Sequence, residues 1–205
     1  MTKNIFKIIS YIYHPIFMPL IGVLVILQIT HLSLLPDVSK KAILYLISFS
    51  TILFPLTILP LLYYQKIITG ITMSKRKERL IPLFLTTIFY YISYYILNKY
   101  SAPLFIQKYM ISIFISILIA SIINIKWKIS LHMIGIGGII GLMFALFYLY
   151  QIKDDTILYT LIISAGIIGT ARLYLNEHNS RQIYIGFFIG YITNFTTIIF
   201  LNLFI

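Results

Sequence analysis

Seven long apolar runs follow one another along the chain, separated by short segments that hold nearly all of its charged residues. The uncharged runs cover roughly residues 8–36, 42–64, 80–98, 109–125, 129–152, 156–171 and 182–205. A helix needs about 20 apolar residues to cross a hydrocarbon core that is ~30 Å thick. The pattern therefore predicts an all-α integral membrane protein, a bundle of about six to seven transmembrane helices that forms a single domain over residues 1–205.

Two of the runs depart from the length of one span. The first is longer, and His14-Pro15 with Pro19 predicts a turn or interfacial segment at its start. It is also too long for a cleaved signal peptide, so we expect the first helix to remain. The run 156–171 has only 16 residues, but Arg172 can snorkel and lengthen that helix.

Composition supports lipid rather than water as the main solvent. Hydrophobic residues make up 60% of the 205 residues and charged residues 10%, against roughly 25% charged in soluble domains. The absence of cysteine excludes a disulfide framework and thiolate chemistry. The net charge of +11 lies in short loops between the runs, a distribution typical of a membrane surface. We therefore expect membrane lipids as partners, no nucleic acid, no metal and no cofactor; the oligomeric state stays open.

Lysine and arginine are distributed unequally between the two sides that seven crossings define. Side A holds eleven: Lys3, Lys7, Lys66, Lys75, Arg76, Lys77, Arg79, Lys126, Lys128, Arg172 and Arg181. Side B holds five: Lys40, Lys41, Lys99, Lys108 and Lys153. The positive-inside rule makes side A and the amino terminus cytoplasmic, in what we expect to be a bacterial-type inner (plasma) membrane. If Arg79 and Arg172 serve chemistry instead, nine against five remain.

Three loops on side A carry polar residues that suit a phosphate ester. They cover residues 73–82, 128–132 and 171–182, and two spans separate each from the next, so all three can meet at one membrane face. Guanidinium groups bind phosphate oxygens in a fork. A histidine can attack phosphorus or donate a proton. The loops therefore predict a site at the headgroup level.

The spacing within these loops resembles the type 2 phosphatidic acid phosphatase superfamily. The third loop places Arg172, His178, Gln182 and Gly186 where that family has Arg, His, Asp and Gly. The second motif, Pro-Ser-Gly-His in the family, is similar to Ile129-Ser-Leu-His132. The first is present loosely as Arg79 with Pro82, and the family's Lys falls at Thr72, although Lys75 and Lys77 are near. The resemblance covers a phosphatase-like core at about residues 70–200.

The resemblance implies a mechanism and a role for each matching residue. His178 is expected to attack phosphorus and form a phosphohistidine, and His132 to protonate the leaving lipid oxygen. Arg79, Arg172 and Ser130 are expected to hold the phosphate oxygens, while Gln182 orients His178. The substrate implied is a lipid phosphate monoester or diphosphate; phosphatidic acid, phosphatidylglycerophosphate and polyprenyl diphosphate all remain possible.

Several positions depart from the family pattern. Gln182 can accept a hydrogen bond but lacks the charge of the family's Asp, and an Asp-to-Asn change in a serine protease triad costs about 10⁴ in turnover. Leu131 replaces a Gly, and Ala171 replaces a Ser. These departures indicate a second hypothesis, a catalytically inactive lipid-binding or assembly protein on the same fold.

Structural readings of the same residues also stay open. Arg172 and His178 could lie in a solvated loop, His132 could bind headgroups only, and the cluster 75–79 could be a cytoplasmic anchor. The Asn179–Gln182 spacing fits a capping box. Gly137-xxx-Gly141 and Gly186-xxx-Gly190 fit close helix packing. A transporter is less favoured, because the spans contain almost no ionisable residue and no repeat is evident.

Overall fold

A computed structural model describes residues 2–70, 73, 75–151 and 154–203, and leaves Thr72 and Lys153 outside that set. The described residues form helices and no β-strand. The α-helices are α1 Thr2–Ile12, α2 Met18–Ile29, α3 Asp37–Ser48, α4 Phe54–Tyr64, α5 Leu80–Lys99, α6 Leu104–Lys126, α7 Leu131–Tyr150, α8 Asp155–Tyr174 and α9 Ser180–Leu203.

Among the described residues, seven spans are long and apolar enough to cross a membrane, which confirms the predicted bundle. They run over Thr2–Ile29, Asp37–Tyr64, Arg76–Lys99, Leu104–Lys126, Leu131–Tyr150, Asp155–Tyr174 and Ser180–Leu201. The short sixth run becomes a 20-residue helix that includes Arg172. The fourth uncharged run begins after Lys108, but the fourth span begins at Leu104. Lys108 therefore lies inside the helix.

The first two spans are interrupted, and their prolines explain where. Helix α1 ends at Ile12, a 3₁₀ turn follows over Pro15–Phe17, and α2 then starts at Met18 with Pro19 in its first turn. A π turn over Phe49–Leu53 precedes α4, whose first turn contains Pro55. Proline lacks the backbone N–H and is accommodated at such starts. The predicted turn near His14 is confirmed, and helical structure extends back to Thr2, before the uncharged run begins at residue 8.

Helices α7 and α9 lie closest together in the bundle, and glycines make the approach possible. A Cβ at Gly137 or Gly141 of α7 would collide with backbone carbonyls of α9, and a Cβ at Gly190 of α9 would collide with the carbonyl of Ile134. Without an aqueous hydrophobic effect between helices, close packing of this kind drives association in lipid. The two small-xxx-small motifs are therefore packing motifs, as the spacing predicts.

A ladder of polar side chains joins α6 to α9 inside the bundle. Ser112 donates to Oδ1 of Asn194 at 2.7 Å, and Nδ2 of Asn194 donates to Ser116 at 3.0 Å. Each such bond contributes about 0.6 kcal/mol on average in a membrane protein. Asn194 is buried, so the ladder fixes the register of α9 and with it the position of the loop before that helix.

The amino-terminal helix α1 packs along α8 at the side-A end of the bundle. Thr2 and Tyr174 share a hydrogen bond of 3.0 Å between their hydroxyls, and Tyr13 and Ser164 share one of 3.1 Å. The residues before α5 are tied to the end of α6, because Arg76 donates to the carbonyl of Asn124 at 3.2 Å. These contacts bring α1 and the three side-A loops to one end of the molecule.

Candidate anion-binding and catalytic site

Three cationic side chains from separate elements meet at one carboxylate oxygen on side A. Oε2 of Glu177 lies 4.0 Å from Nη2 of Arg79, 3.6 Å from Nζ of Lys128 and 3.6 Å from Nη2 of Arg172. Arg79 and Arg172 are both buried. The structure thus brings together the two arginines that the sequence predicts to bind phosphate.

The position of Arg79 is set by a further contact, and Arg172 retains donor capacity. Nε of Arg79 donates to the carbonyl of Met73 at 2.8 Å. Nε of Arg172 is buried and has no hydrogen-bond partner in the described part of the chain. A buried N–H without an acceptor costs free energy, and an anion bound beside Arg172 would supply one.

The sequence does not single out Glu177 or Lys128 as residues of the site. The five acidic residues are scattered along the chain, and nothing in their spacing singles out Glu177. Lys128 reads as one more basic residue at a membrane surface. Only the convergence of the loops shows that both belong to the cation cluster, which we define as Arg79, Lys128 and Arg172.

His178 is held by Gln182, four residues further along the chain. Nδ1 of His178 lies 2.9 Å from Oε1 of Gln182. The backbone N–H of Asn179 also points at Oε1, at 3.4 Å, which identifies this atom as the amide oxygen. An amide oxygen only accepts, so Nδ1 carries the proton and Nε2 has the free lone pair.

Gln182 also caps α9, in addition to its contact with His178. Its backbone N–H donates to Oδ1 of Asn179 at 3.0 Å, while its side chain returns to the N–H of Asn179. This reciprocal arrangement is a capping box. The Gln182 side chain therefore caps the start of α9 and also fixes the orientation and tautomer of the His178 ring.

Burial lowers the pKa of His178 to about 3; the Gln182 hydrogen bond opposes this shift, and the positive charges of Arg79, Arg172 and Lys128 each add a lesser amount to it. Burial and the nearby arginines also lower the pKa of Lys128, while Glu177 opposes that shift. At neutral pH the imidazole of His178 is therefore neutral, which is the form that can attack an electrophile.

His132 and Arg172 are both held by Ser10, a residue of α1. Nε2 of His132 lies 3.1 Å from the carbonyl oxygen of Ser10 and so donates to it. Nη1 of Arg172 donates to the Ser10 hydroxyl at 3.4 Å. With Nε2 engaged in this way, Nδ1 is the atom of His132 that can exchange a proton. Ser10 lies outside the predicted phosphatase-like core at 70–200.

A cavity of about 800 Å³ contains the predicted residues Arg79, His132, Arg172 and His178 in its wall. Glu177 and Ser10 line the same cavity at this polar end. The rest of the wall extends between the helices and is mostly apolar, with Ile58, Leu59, Leu83, Phe89, Ile113 and Ile117 among its side chains. The cavity therefore joins a cationic end at the membrane surface to an apolar interior.

Ser130 is the one predicted phosphate-binding residue that the described structure does not place in the cavity wall. Its side chain is fully buried at the start of α7, and its Oγ has no hydrogen-bond partner among the described residues. The backbone of Ser130 packs closely against Gly186 of α9, whose Cβ would come within 2.8 Å of its carbonyl oxygen. Ser130 therefore lies in the tight contact between α7 and α9 and not in the cavity wall.

His14, a third histidine, joins the two that the sequence predicts. Its ring centroid lies 5.6 Å from that of His132, with an angle of 77° between the rings, and His14 lines the cavity. In the sequence this residue appears only as part of a turn before Pro15.

Comparisons with protein families, with curated proteins and with solved structures find no match to this chain.

Proposed function

We propose that the protein is a membrane-embedded lipid phosphate phosphatase that hydrolyses a lipid phosphate monoester or diphosphate through a phosphohistidine. The observation that carries the proposal is the neutral His178, whose Nδ1 is held by Gln182 at 2.9 Å, in one cavity wall with Arg79, Arg172 and His132. The family resemblance of these positions supports the same activity.

The cation cluster supplies electrostatic stabilisation for the phosphoryl group. Phosphoryl transfer depends mainly on positioning and on neutralising charge at the phosphoryl oxygens. Glu177 occupies this cluster in the absence of substrate, with Oε2 at 3.6 Å from both Lys128 and Arg172. A phosphate dianion brings more charge and more acceptor oxygens than this carboxylate, so it displaces Glu177 from the guanidinium groups.

The chemical steps follow from the tautomers of the two histidines. The lone pair on Nε2 of His178 forms a bond to phosphorus while the phosphorus–oxygen bond to the lipid breaks. His132 first takes up a solvent proton at Nδ1 and then gives it to the leaving oxygen, with its Nε2–H still held by the Ser10 carbonyl. His132 then accepts a proton from water, which attacks the phosphohistidine and releases inorganic phosphate.

The apolar part of the cavity suits the hydrocarbon part of such a substrate. A lipid phosphate places its charged group at the headgroup level and its chain among the acyl tails. The cavity has the same polarity along its length, with the cation cluster at one end and isoleucine, leucine and phenylalanine side chains further in. Its substrate therefore reaches the site from the bilayer.

Phosphate release from lipid phosphates by the purified protein tests the proposal. We expect release by the wild type in nanodiscs, no release by His178→Ala, and unchanged release by His31→Ala. His31 is an exposed histidine at the end of the first span, which makes it a matched control. Acid-labile, base-stable labelling of the wild type from a radioactive substrate reports the phosphohistidine. Equal release by His178→Ala would rule out the proposed nucleophile.

A second candidate function is a catalytically inactive lipid-binding or assembly protein on the same fold. It is favoured by Glu177, which already pairs with the cation cluster, and by Gln182, which brings no charge to His178. This candidate predicts that the wild type binds lipid phosphates without releasing phosphate from any of them. The release assay therefore separates the two functions.

A further inference from the structure

One ring nitrogen of His14 accepts a hydrogen bond from the backbone, and the other has no hydrogen-bond partner among the described residues. It stands at the N-cap of the 3₁₀ turn Pro15–Phe17, where its Nδ1 accepts from the backbone N–H of Ile16 at 3.3 Å. A nitrogen that accepts an N–H carries no proton, so Nε2 of the neutral ring bears the hydrogen. That Nε2–H has no acceptor among the described residues, although His14 is half-buried and lines the cavity.

The His14 ring packs against the ring of His132, the proposed proton donor. The two rings meet edge to face with their centroids 5.6 Å apart. In a displacement at phosphorus, the attacking and leaving atoms lie roughly in line on opposite sides. If His132 protonates the leaving oxygen, then the His14 ring, which packs edge to face on His132, is beside the leaving group.

We infer that His14 is a substrate-binding residue, and that its Nε2–H donates a hydrogen bond to an oxygen of the leaving group beyond the scissile bond. This inference rests on the proposed function, since it uses the proposed roles of His132 and His178. The acceptor it requires is a second oxygen on the leaving group: a hydroxyl, an ester carbonyl or a further phosphate. A simple alkyl phosphate lacks such an oxygen and gains nothing from His14.

A purely structural role for His14 as an N-cap makes a different prediction. Asparagine is among the best N-cap residues, because its side-chain oxygen accepts from the same backbone N–H groups. His14→Asn therefore keeps the cap at Ile16 and loses only the reach of Nε2. His14→Gln places an amide N–H near the original Nε2 and restores a donor. The pair separates capping from substrate binding.

Three probes of different leaving group test the inference in nanodiscs. They are dodecyl phosphate, a 1-acyl lysophosphatidic acid and farnesyl diphosphate, and phosphate release and lipid binding by thermal shift are measured in parallel. We expect His14→Asn to lower kcat/KM about 5- to 10-fold for the second and third probes and less than 2-fold for dodecyl phosphate. His14→Gln recovers at least half of that loss on a logarithmic scale.

The outcomes distinguish this inference from the proposed function. If the wild type releases phosphate and His14→Asn has the same effect on all three probes, or none, the role of His14 is wrong and the phosphatase stands. If the wild type releases no phosphate, the phosphatase is wrong. The binding data then decide on His14: equal binding of lysophosphatidic acid by wild type and His14→Asn also overturns the inference.

Discussion

Nδ1 of His178 lies 2.9 Å from Oε1 of Gln182, the residue at the position where the resembling family has an aspartate. The contact orients the ring and selects the Nδ1–H tautomer as a carboxylate would. It does not supply the negative charge that stabilises a positive imidazole during phosphoryl transfer. The effect of orienting the His178 ring and the effect of a charge beside it can be measured separately in this protein.

We predict that Gln182→Glu raises the rate of phosphate release at least about 10-fold. The substitution adds charge at nearly constant shape and leaves a capping-box residue at the same position of α9. The pKa of His178 begins at about 3, so the added carboxylate can raise it considerably while the ring stays mostly neutral at pH 7. Initial rates at saturating and limiting substrate give kcat and kcat/KM.

Asn179→Ala is the matched control for the capping box. It removes the acceptor for the Gln182 backbone N–H but leaves the contact between Gln182 and His178. We expect a loss of about 1 kcal/mol in stability with little change in rate. A Gln182→Glu variant that is no faster than an active wild type would contradict the electrostatic explanation.

We predict that Glu177→Gln increases the affinity for inorganic phosphate by at least about 10-fold and lowers the thermal stability of the free protein. The carboxylate is shared by three cations, so its removal leaves their charges uncompensated at a partly buried site. Breaking fully buried pairs costs about 3–5 kcal/mol; Glu177 is 30% exposed, so we expect about 1–3 kcal/mol after screening.

Thermal shift with and without phosphate measures both effects of Glu177→Gln. Phosphate should restore most of the lost stability, because it takes the place of the carboxylate. Asp37→Asn is the control, since Asp37 pairs with Lys40 at 3.7 Å and its side chain is 86% exposed. If Glu177→Gln binds phosphate no more tightly than the wild type, the carboxylate does not compete for the cation cluster.

The bundle could be predicted from the sequence because a single physical quantity, the length of uncharged apolar sequence, determines where a chain can cross a membrane. The exact ends could not, because long side chains such as Arg172 and Lys108 are tolerated inside helices whose neighbours accommodate them. The glycine contacts of α7 and α9 were also predictable, since small residues four apart have few other uses in lipid.

The site was predictable only in part. Arg79, Arg172, His132 and His178 were identified from spacing that resembles a known family, and the structure places all four in one cavity wall. Ser10, His14 and Glu177 belong to no such spacing, and their role depends on which loops meet in space. Ser130 matches the family spacing, but its side chain is buried away from the cavity wall.

We predict that acid destabilises the wild type more than His178→Gln. The unfolded His178 binds a proton near pH 6.5, whereas the folded protein binds it only near the pKa of about 3. The contribution of this group to stability is therefore complete above pH 6.5 and is lost as the pH falls towards 3, by at most about 1.4 kcal/mol per pH unit. Unfolding midpoints in detergent at pH 7.5 and 4.5 measure the difference, and equal shifts in both proteins would show that His178 is not buried in its neutral form.

We predict that side A, with its site, faces the cytoplasm, and the absence of cysteine makes the test direct. Ser180→Cys places a thiol at the start of α9 beside the site, and Ser39→Cys places one near the start of α3 at the opposite end; both serines are exposed. Inverted vesicles should label Ser180→Cys with a membrane-impermeant maleimide, and intact cells should label Ser39→Cys. The reverse pattern would place the site on the outer face.

We predict that Gly190→Ala destabilises the protein by about 1–3 kcal/mol, whereas Gly166→Ala changes its stability by less than about 1 kcal/mol. A Cβ at Gly190 collides with the backbone of α7 at Ile134 and Gly138, and backbone atoms cannot move aside without separating the helices. Gly166 of α8 is exposed, and beyond the neighbouring backbone of its own helix no atom of the described residues lies within 4 Å of the added Cβ. Thermal unfolding of the two variants in the same detergent compares two identical chemical changes.

The same pair of variants should differ in activity. Gly186 of α9 approaches the backbone at Ser130, so separation of α7 and α9 should also displace the loop that carries His178. We therefore expect Gly190→Ala to lose phosphate release at temperatures where Gly166→Ala retains it.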